Sequence, residues 1–399
     1  MMTIIDKIIK RHFCIGCGLC ESVLGADKCK MELGEGGFYI PAVLSDISKN
    51  ESQLIRRLCP GIHVEGNKQS GVWGAMKSIE ESWSADSIIR RKAASGGVVT
   101  ALALYLLESK TVDAILQVGV EEGSYLYNKL KISRSREDII SNAQSRYAPA
   151  LVFNGIIEIL DSTNEKFAFV GKPCDIAAMK NLLLEFPKYN DRIKAFISIF
   201  CAGMPSYNAS IKTWQMSGRT DEPIFLKYRG DGWPGSFCAK WEDGTEFQLS
   251  YNESWGKVLG CNIGFRCKIC PDGIGMLADI AVGDSWNTKN GYPDFTESDG
   301  KCFVMVRTEI GSSIMDLAGK RGYIVRNSLN IDKIAEMQSY QYSRRKLEGW
   351  RLIPVQLFSG YMLNFKGLRI FRQAATANFF SGIKNMIGSA KRFIRLQHE

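Results

Sequence analysis

Histidine is almost missing from this chain: His12, His63 and His398 are the only three in 399 residues. None stands at a motif spacing from a nucleophile or a carboxylate, so a histidine-centred acid/base mechanism is not expected. No stretch approaches the roughly 18 uninterrupted apolar residues of a membrane span, so no transmembrane helix is expected. A dinucleotide fingerprint is lacking too. Gly34-Glu35-Gly36-Gly37 and Gly273-Ile274-Gly275 both fail G-x-G-x-x-G and its strand–turn–helix setting, which leaves direct nicotinamide use without support. There is no internal repeat and no low-complexity segment. A basic body is absent as well. The net charge is +9, but residues 343–399 hold 11 Lys/Arg against 2 Asp/Glu, and the first 342 residues hold 40 of each. A neutral body argues against a nucleic-acid groove. No charged-then-apolar leader opens the sequence, and 12 cysteines without one predict a reducing, cytoplasmic setting.

Those cysteines are the chemistry that is present. Cys14-Ile15-Gly16-Cys17-Gly18-Leu19-Cys20 is the C-x2-C-x2-C core of a bacterial ferredoxin loop, whose thiolates bind separate irons of one cluster. The usual fourth ligand, four residues on and before a proline, is replaced by Leu24. Two cysteines can substitute. Cys59 precedes Pro60-Gly61, the expected companion of a fourth ligand, whereas Cys29 sits between lysines. Cys59 is the choice, with Cys29 as the alternative. A zinc knuckle is the bland reading, but zinc ribbons use paired C-x2-C units rather than a triple.

The body alternates strand-like and helix-like segments. Val98 to Leu107 reads as an apolar helix with Ser95 as N-cap. Residues 113–120, 167–171, 193–200, 279–282 and 303–307 read as strands, residues 175–185 as a helix, and residues 236–250 as a hairpin turning at Asp243-Gly244. The fold expected is α+β or α/β. A ferredoxin-like iron–sulfur domain at 1–70 would precede a mixed α/β body at 71–345 and a basic helical tail at 346–399, with a linker across residues 66–71.

A second thiol set is expected inside the body. Cys174 follows Gly171-Lys172-Pro173 at a strand-to-helix junction, and Cys201 follows the next strand. In α/β sheets the carboxyl ends of strands line a common crevice. Cys267-Lys268-Ile269-Cys270-Pro271 would complete four thiolates. Cys261 is the nearest competitor, and Cys238 and Cys302 lie in apolar runs that suit the core.

Together these segments resemble the beta-subunit family of coenzyme F420 (deazaflavin) hydrogenases and dehydrogenases over about residues 10–345. The resemblance rests on both thiol sets, on Ala94-Ser95-Gly96-Gly97, Ser145-Arg146-Tyr147 and Gly171-Lys172-Pro173-Cys174-Asp175, and on Phe200-Cys201-Ala202-Gly203. It continues through Lys227-Tyr228-Arg229-Gly230-Asp231-Gly232-Trp233 and Ala278-Asp279-Ile280-Ala281-Val282-Gly283-Asp284. It implies a cytoplasmic oxidoreductase carrying two 4Fe–4S clusters and FAD. The cofactor contacts implied are Ser95, Gly96, Gly97, Ser145, Arg146, Tyr147, Lys172, Lys227, Arg229, Gly230, Asp279 and Asp284. No catalytic residue is assigned.

Several of these suit the task on their own chemistry. A glycine pair at a helix start exposes backbone N–H groups to a phosphate or a flavin edge. Lys227 and Arg229, on one face of a strand, suit a pyrophosphate or an anionic flavin, or simply a solvated face. Asp279 and Asp284 either hold flavin hydroxyls or cap their strand. Arg146 stands where relatives often carry lysine, which keeps the charge but loses an ammonium acid. His12 lies beside the first set, where a surface position is expected.

Clusters pass single electrons and a flavin can gather two. The expected function is therefore electron entry through the clusters, transfer to FAD and delivery as hydride to an organic substrate. The resemblance includes bacterial stand-alone members that accompany polysaccharide biosynthesis. The alternative is a beta subunit exchanging electrons between a partner dehydrogenase or hydrogenase and deazaflavin. A non-catalytic cysteine-rich scaffold is the reading from another class. Expected partners are a one-electron donor, such as ferredoxin or a redox subunit, and a small organic substrate or deazaflavin. In the tail, Phe379, Ile383, Ile387, Ala390 and Ile394 recur at helical spacing beside Lys384, Lys391, Arg392 and Arg395. That pattern fits either a helix packed on the body or a peripheral contact at the inner face of a membrane.

Overall fold

Runs of β-branched and aromatic residues build an eight-stranded sheet. Its strands are β1 (Ser78–Ser84), β2 (Ala114–Val120), β3 (Asn128–Ser133), β4 (Phe167–Gly171), β5 (Ile193–Ile199), β6 (Ile280–Asp284), β7 (Cys302–Val306) and β8 (Ile324–Ser328). The structure is a computed structural model that describes residues 2–66 and 70–398. Residues 67–69 of the expected linker lie outside the described residues.

The spatial order is β8-β1-β7-β6-β5-β4-β2-β3. β6, β5, β4 and β2 run parallel. The flanking strands β7, β1 and β8 on one side and β3 on the other pair antiparallel. Parallel strands must be covered on both faces. One face is covered by α1 (Val98–Glu108) and α3 (Glu309–Lys320), which pack Leu102, Leu106, Ile314 and Met315 against Ile197 and Val282. The other is covered by α2 (Pro173–Glu185), which packs Ile176 and Leu182 against Phe169 and Phe196.

The strands and helices expected in the body are found within a residue or two. The hairpin is found as well, as Phe237–Lys240 and Glu246–Leu249. The expected cap is not. Gly97, at φ 74°, is the N-cap of α1, and the Ser95 hydroxyl instead meets Cys302 Sγ at 3.3 Å. A left-handed cap conformation is one only glycine enters without strain.

The amino-terminal segment consists of helices Ile4–Lys10, Leu19–Leu24 and Lys49–Leu58 around a ribbon of Cys29–Leu33 and Tyr39–Val43. Its Ile5, Phe13 and Ile55 join the same core as Phe169 and Ile176 of the body. The basic tail is tied in as well. Asn364–Lys366 pairs with His63–Glu65 in parallel. The expected boundary at residue 345 falls inside the 21-residue helix α4 (Ser339–Ser359). The last helix, α5 (Phe379–Leu396), lies along α4 and buries Phe393 between Phe13 and Phe265. Burial of that ring contributes about 2 kcal/mol. His12 Nε2 meets the Leu396 carbonyl at 2.9 Å, so the histidine beside the first cysteine run pins the tail.

Candidate functional site: two thiol sets and an adjoining cavity

Cys14 and Cys17 lie in the turn between the first two helices, Cys20 in the first turn of the second, and Cys59 caps the third. Cys14, Cys17, Cys20 and Cys59 line one small recess, closed otherwise by aliphatic residues that include Ile5, Leu19, Met31 and Ile55. Cys29 lies next to this recess, within reach of Cys20, and is not part of its lining. Gly61 permits the close approach of the Cys59 loop. A Cβ there would sit 2.3 Å from the Phe13 carbonyl.

Apolar burial disfavours thiolate. Burial, and then the charge of Cys59, push Cys14 up to about 12 and raise Cys17 as well. Burial also raises Cys59, whereas Cys20 is raised first by its hydrogen bond with Cys29 and then by burial. Sulfurs in such a recess become thiolates only with a compensating cation, so the donor set fits a metal cluster. Among the described residues no three His, Cys, Asp or Glu side chains converge to hold a single ion. In a four-iron cluster the thiolates are distributed over separate irons.

The cysteines expected to form the second set come from separate elements. Cys174 lies in the first turn of α2, Cys201 just beyond β5, and Cys267 and Cys270 around the short helix Phe265–Lys268. Each of Cys174 and Cys201 feels the charge of Cys270, and Cys201 also feels Cys267. Burial pushes Cys201 up to about 12 and raises Cys174 and Cys270. Cys261 is exposed and Cys238 is buried elsewhere.

Buried cations hold the two loops. Arg266 donates to the carbonyls of Gly61 at 2.6 Å and Pro60 at 2.9 Å, so a residue of the second loop grips the first. Arg344 of α4 donates to Cys201 O at 3.1 Å and to Cys267 O, and Gln341 donates to Cys201 O at 2.9 Å. Arg345 donates to Pro271 O at 3.0 Å. The fully buried Glu348 faces these arginines, and among the described residues its carboxylate has no hydrogen-bond partner. None of this was read from the sequence, where Arg344 and Arg345 belong to a run that looks solvated. Between the sets, Asp175 influences both Cys17 and Cys174, and its Oδ2 accepts from Lys172 Nζ at 2.7 Å. Burial pulls the Lys172 ammonium down, but Asp175 and the thiols of Cys174 and Cys201 outweigh it and raise it overall.

Beyond the second set, a cavity of about 600 Å³ opens at the carboxyl ends of the parallel strands. Of the expected cofactor contacts, Ser95, Gly97, Ser145, Arg146, Tyr147, Lys172, Arg229 and Asp284 line it, together with Cys201. Gly96, Lys227, Gly230 and Asp279 are not in the lining. The expected pairing of Lys227 with Arg229 does not form, because the strand ends at Lys227. Lys227 Nζ bonds Asp231 at 2.6 Å, whereas Arg229 makes two bonds to Asp284, at 2.8 and 3.0 Å. Asp279 ties β5 to the start of α3 by accepting from Phe196 N at 2.8 Å and Thr308 Oγ1 at 2.6 Å. Arg146 spends its guanidinium on Asn128 Oδ1, Leu226 O and Tyr125 O.

One wall of the cavity is aromatic. Trp286 stacks on Trp233 at 4.6 Å, and the Arg229 guanidinium lies over the rings of Tyr251 and Trp286. Tyr147 and Trp255 are 4.7 Å apart. The start of α1 brings its positive dipole end to the cavity. Flat aromatic faces and a helix start suit a planar ring system with an anionic tail.

Two family models describe the coenzyme F420 hydrogenase/dehydrogenase beta subunit. Residues 81–156 match the model of its amino-terminal region, and residues 164–331 match the model of its carboxyl-terminal region. The chain belongs to the coenzyme F420 hydrogenase/dehydrogenase beta-subunit family. Cys174, Cys201, Cys267 and Cys270 of this chain fall within the carboxyl-terminal match, and the first set precedes both matched regions.

Among family relatives, the F420-dependent formate dehydrogenase 1 subunit beta of Methanococcus maripaludis is 28% identical over 250 residues, covering 62% of this chain and 60% of that protein. The coenzyme F420 hydrogenase subunit beta of Methanococcus voltae is 26% identical, covering 66% of this chain and 87% of that protein. The coenzyme F420-dependent sulfite reductase of Methanocaldococcus jannaschii is 23% identical over 359 residues, 86% of this chain and 51% of that enzyme. The chain thus spans about three-fifths of the formate dehydrogenase subunit it matches. In fold, it is similar to a chain of the F420-reducing NiFe hydrogenase complex from Methanosarcina barkeri, with a TM-score of 0.55 at 21% identity, covering 71% of this chain and 96% of that one. These relatives are redox enzymes or parts of them. No helix among the described residues is long and apolar enough to cross a membrane.

Proposed function

We propose that this chain is the electron-handling subunit of an oxidoreductase assembly, exchanging electrons between a partner redox subunit and coenzyme F420. Cys14, Cys17, Cys20 and Cys59 would hold one 4Fe–4S cluster, Cys174, Cys201, Cys267 and Cys270 a second, and the cavity a flavin of the FAD type. Such clusters supply single-electron transfer, and a flavin supplies the conversion between single electrons and pairs. The observation that carries the reading is continuity. Asp175 and Arg266 link the first recess to the second thiol set, and Cys201 of that set lines the cavity together with the neighbouring Lys172.

The chain's own residues prepare the path. Lys172 and Arg344 present positive charge to the second thiol set, which favours its more negative, electron-rich state. Helix α4 covers that set through Gln341 and Arg344. The aromatic wall of Tyr251, Trp255 and Trp286 excludes water from one side of the cavity. The chain's relatives include beta subunits of an F420-dependent formate dehydrogenase and of a coenzyme F420 hydrogenase. That puts exchange with a partner and deazaflavin ahead of a stand-alone FAD reductase of an organic metabolite.

The test is anaerobic purification with measurement of iron, sulfide and released flavin, followed by mixing of the chemically reduced protein with oxidised F420. About eight irons per chain, one flavin and net reduction of F420 are expected. In Cys59→Ser the iron content should fall to about half, while Cys29→Ser should leave it unchanged. Zinc without flavin would favour the scaffold reading. Iron and flavin without F420 reduction would restore the stand-alone reductase.

A further inference from the structure

We infer that helix α5 docks the protein onto anionic lipid bilayers through a face that points away from the body. The helix is fastened by an unexpected side. Gly382 lies against Trp350, Ser389 Oγ donates to Arg351 O at 3.0 Å, and Phe393 is the buried ring between Phe13 and Phe265. At about 100° per residue, those three positions cluster on one side of the helix. The apolar stripe legible in the sequence lies on the next side, where the body covers only part of it: Ile383 and Ala390 are half-buried and the Phe379 ring meets Trp350 edge-on, while the rest is open. Phe380 is 80% exposed, Phe379 60%, Ile387 48% and Ile394 42%.

The charge beside that stripe decides its occupant. Lys384 and Lys391 project next to Phe380 and Ile387 on the same turn sequence. Both are exposed, and neither forms an ion pair among the described residues. The positive excess of the whole chain is confined to residues 343–399, where one of the two acids, Glu348, is fully buried. An apolar stripe of phenylalanine and isoleucine flanked by lysine is complementary to an interface that is apolar within and negative at its surface. The helix would lie in the plane of the bilayer surface rather than cross it.

The test uses the full-length protein and co-sedimentation with vesicles of phosphatidylcholine mixed with phosphatidylglycerol, against vesicles of phosphatidylcholine alone. Binding to the anionic vesicles should exceed binding to the neutral ones by roughly tenfold or more, and high salt should abolish the difference. Lys384→Glu with Lys391→Glu should weaken anionic binding by roughly tenfold or more. Phe380→Ser with Ile387→Ser should do the same, and because both side chains are exposed, thermal unfolding should be unchanged. Equal binding to both vesicle types, no binding to either, or retention of binding in both variants overturns the inference. So does concentration-dependent self-association that the same substitutions abolish, since the face would then be occupied by a second copy.

Discussion

Replacing Arg266 with methionine is the sharpest test of the link between the two thiol loops. Its guanidinium is buried and donates to Gly61 O at 2.6 Å, to Pro60 O at 2.9 Å and to Ile269 O at 3.4 Å, while lying over the Phe365 ring at 5.0 Å. The longest bond counts for little. Hydrogen bonds to a charged donor contribute about 1.5–3 kcal/mol each, and their loss strands two carbonyls away from water. Methionine keeps most of the apolar stem and recovers part of the packing. The expected cost is about 3–5 kcal/mol, read as a shift of the urea midpoint at constant slope. Because Pro60-Gly61 follows Cys59 and Ile269 precedes Cys270, iron content should fall at both sets together. Arg266→Lys, which keeps the charge but not the fork, should recover less than half of the loss. A midpoint shift equivalent to less than about 1 kcal/mol, or loss of iron confined to one set, would refute the coupling.

Two further outcomes follow from buried geometry. Gly96 has φ 50°, and a Cβ there would sit 2.9 Å from Lys301 Cα. Gly96→Ala should therefore destabilise the protein by about 1–3 kcal/mol and weaken flavin retention, measured by unfolding and by released flavin after gel filtration; unchanged retention would detach this turn from the cavity. Burial pushes Glu348 up to about 7, against the pull of Arg344, Arg351, Arg266 and Arg345. Its folded value lies above the ordinary carboxylate range, so folding favours the protonated form. That contribution is full below pH about 4.5 and is lost as pH rises through about 7, a loss of about 3 kcal/mol. Glu348→Gln should flatten the stability curve across that window, and parallel curves for the two proteins would contradict the assignment.

The parts of the site legible in the sequence are those whose information is local. Cys14, Cys17 and Cys20 are spaced by a single turn, and Cys174 and Cys201 each follow the end of a buried strand. The apolar runs of Phe167–Gly171 and Ile193–Ile199 could be recognised because parallel strands are covered on both faces. The glycine pair between Ser95 and the start of α1 was equally visible. What the serine does there was not, because its partner Cys302 comes from β7 and is 207 residues away. The same holds for Lys227 and Arg229. Their spacing suggested one shared task, but the acids that claim them, Asp231 and Asp284, come from a turn and from β6.

The sequence by itself determined the local cysteine motifs Cys14–Cys20 and Cys267–Cys270, the order of strands and helices through the body, and the amphipathic character of the tail, since each depends on spacing along the chain. Tertiary structure alone decided which buried charges brace the loops. Arg266, Arg344, Arg345 and Glu348 look like ordinary surface residues until packing withdraws them from water and leaves distant carbonyls as hydrogen-bond partners. It also decided which side of the last helix faces inward. The small side chains of Gly382 and Ser389 let the helix approach α4 closely, and that close approach turned the larger apolar stripe toward solvent.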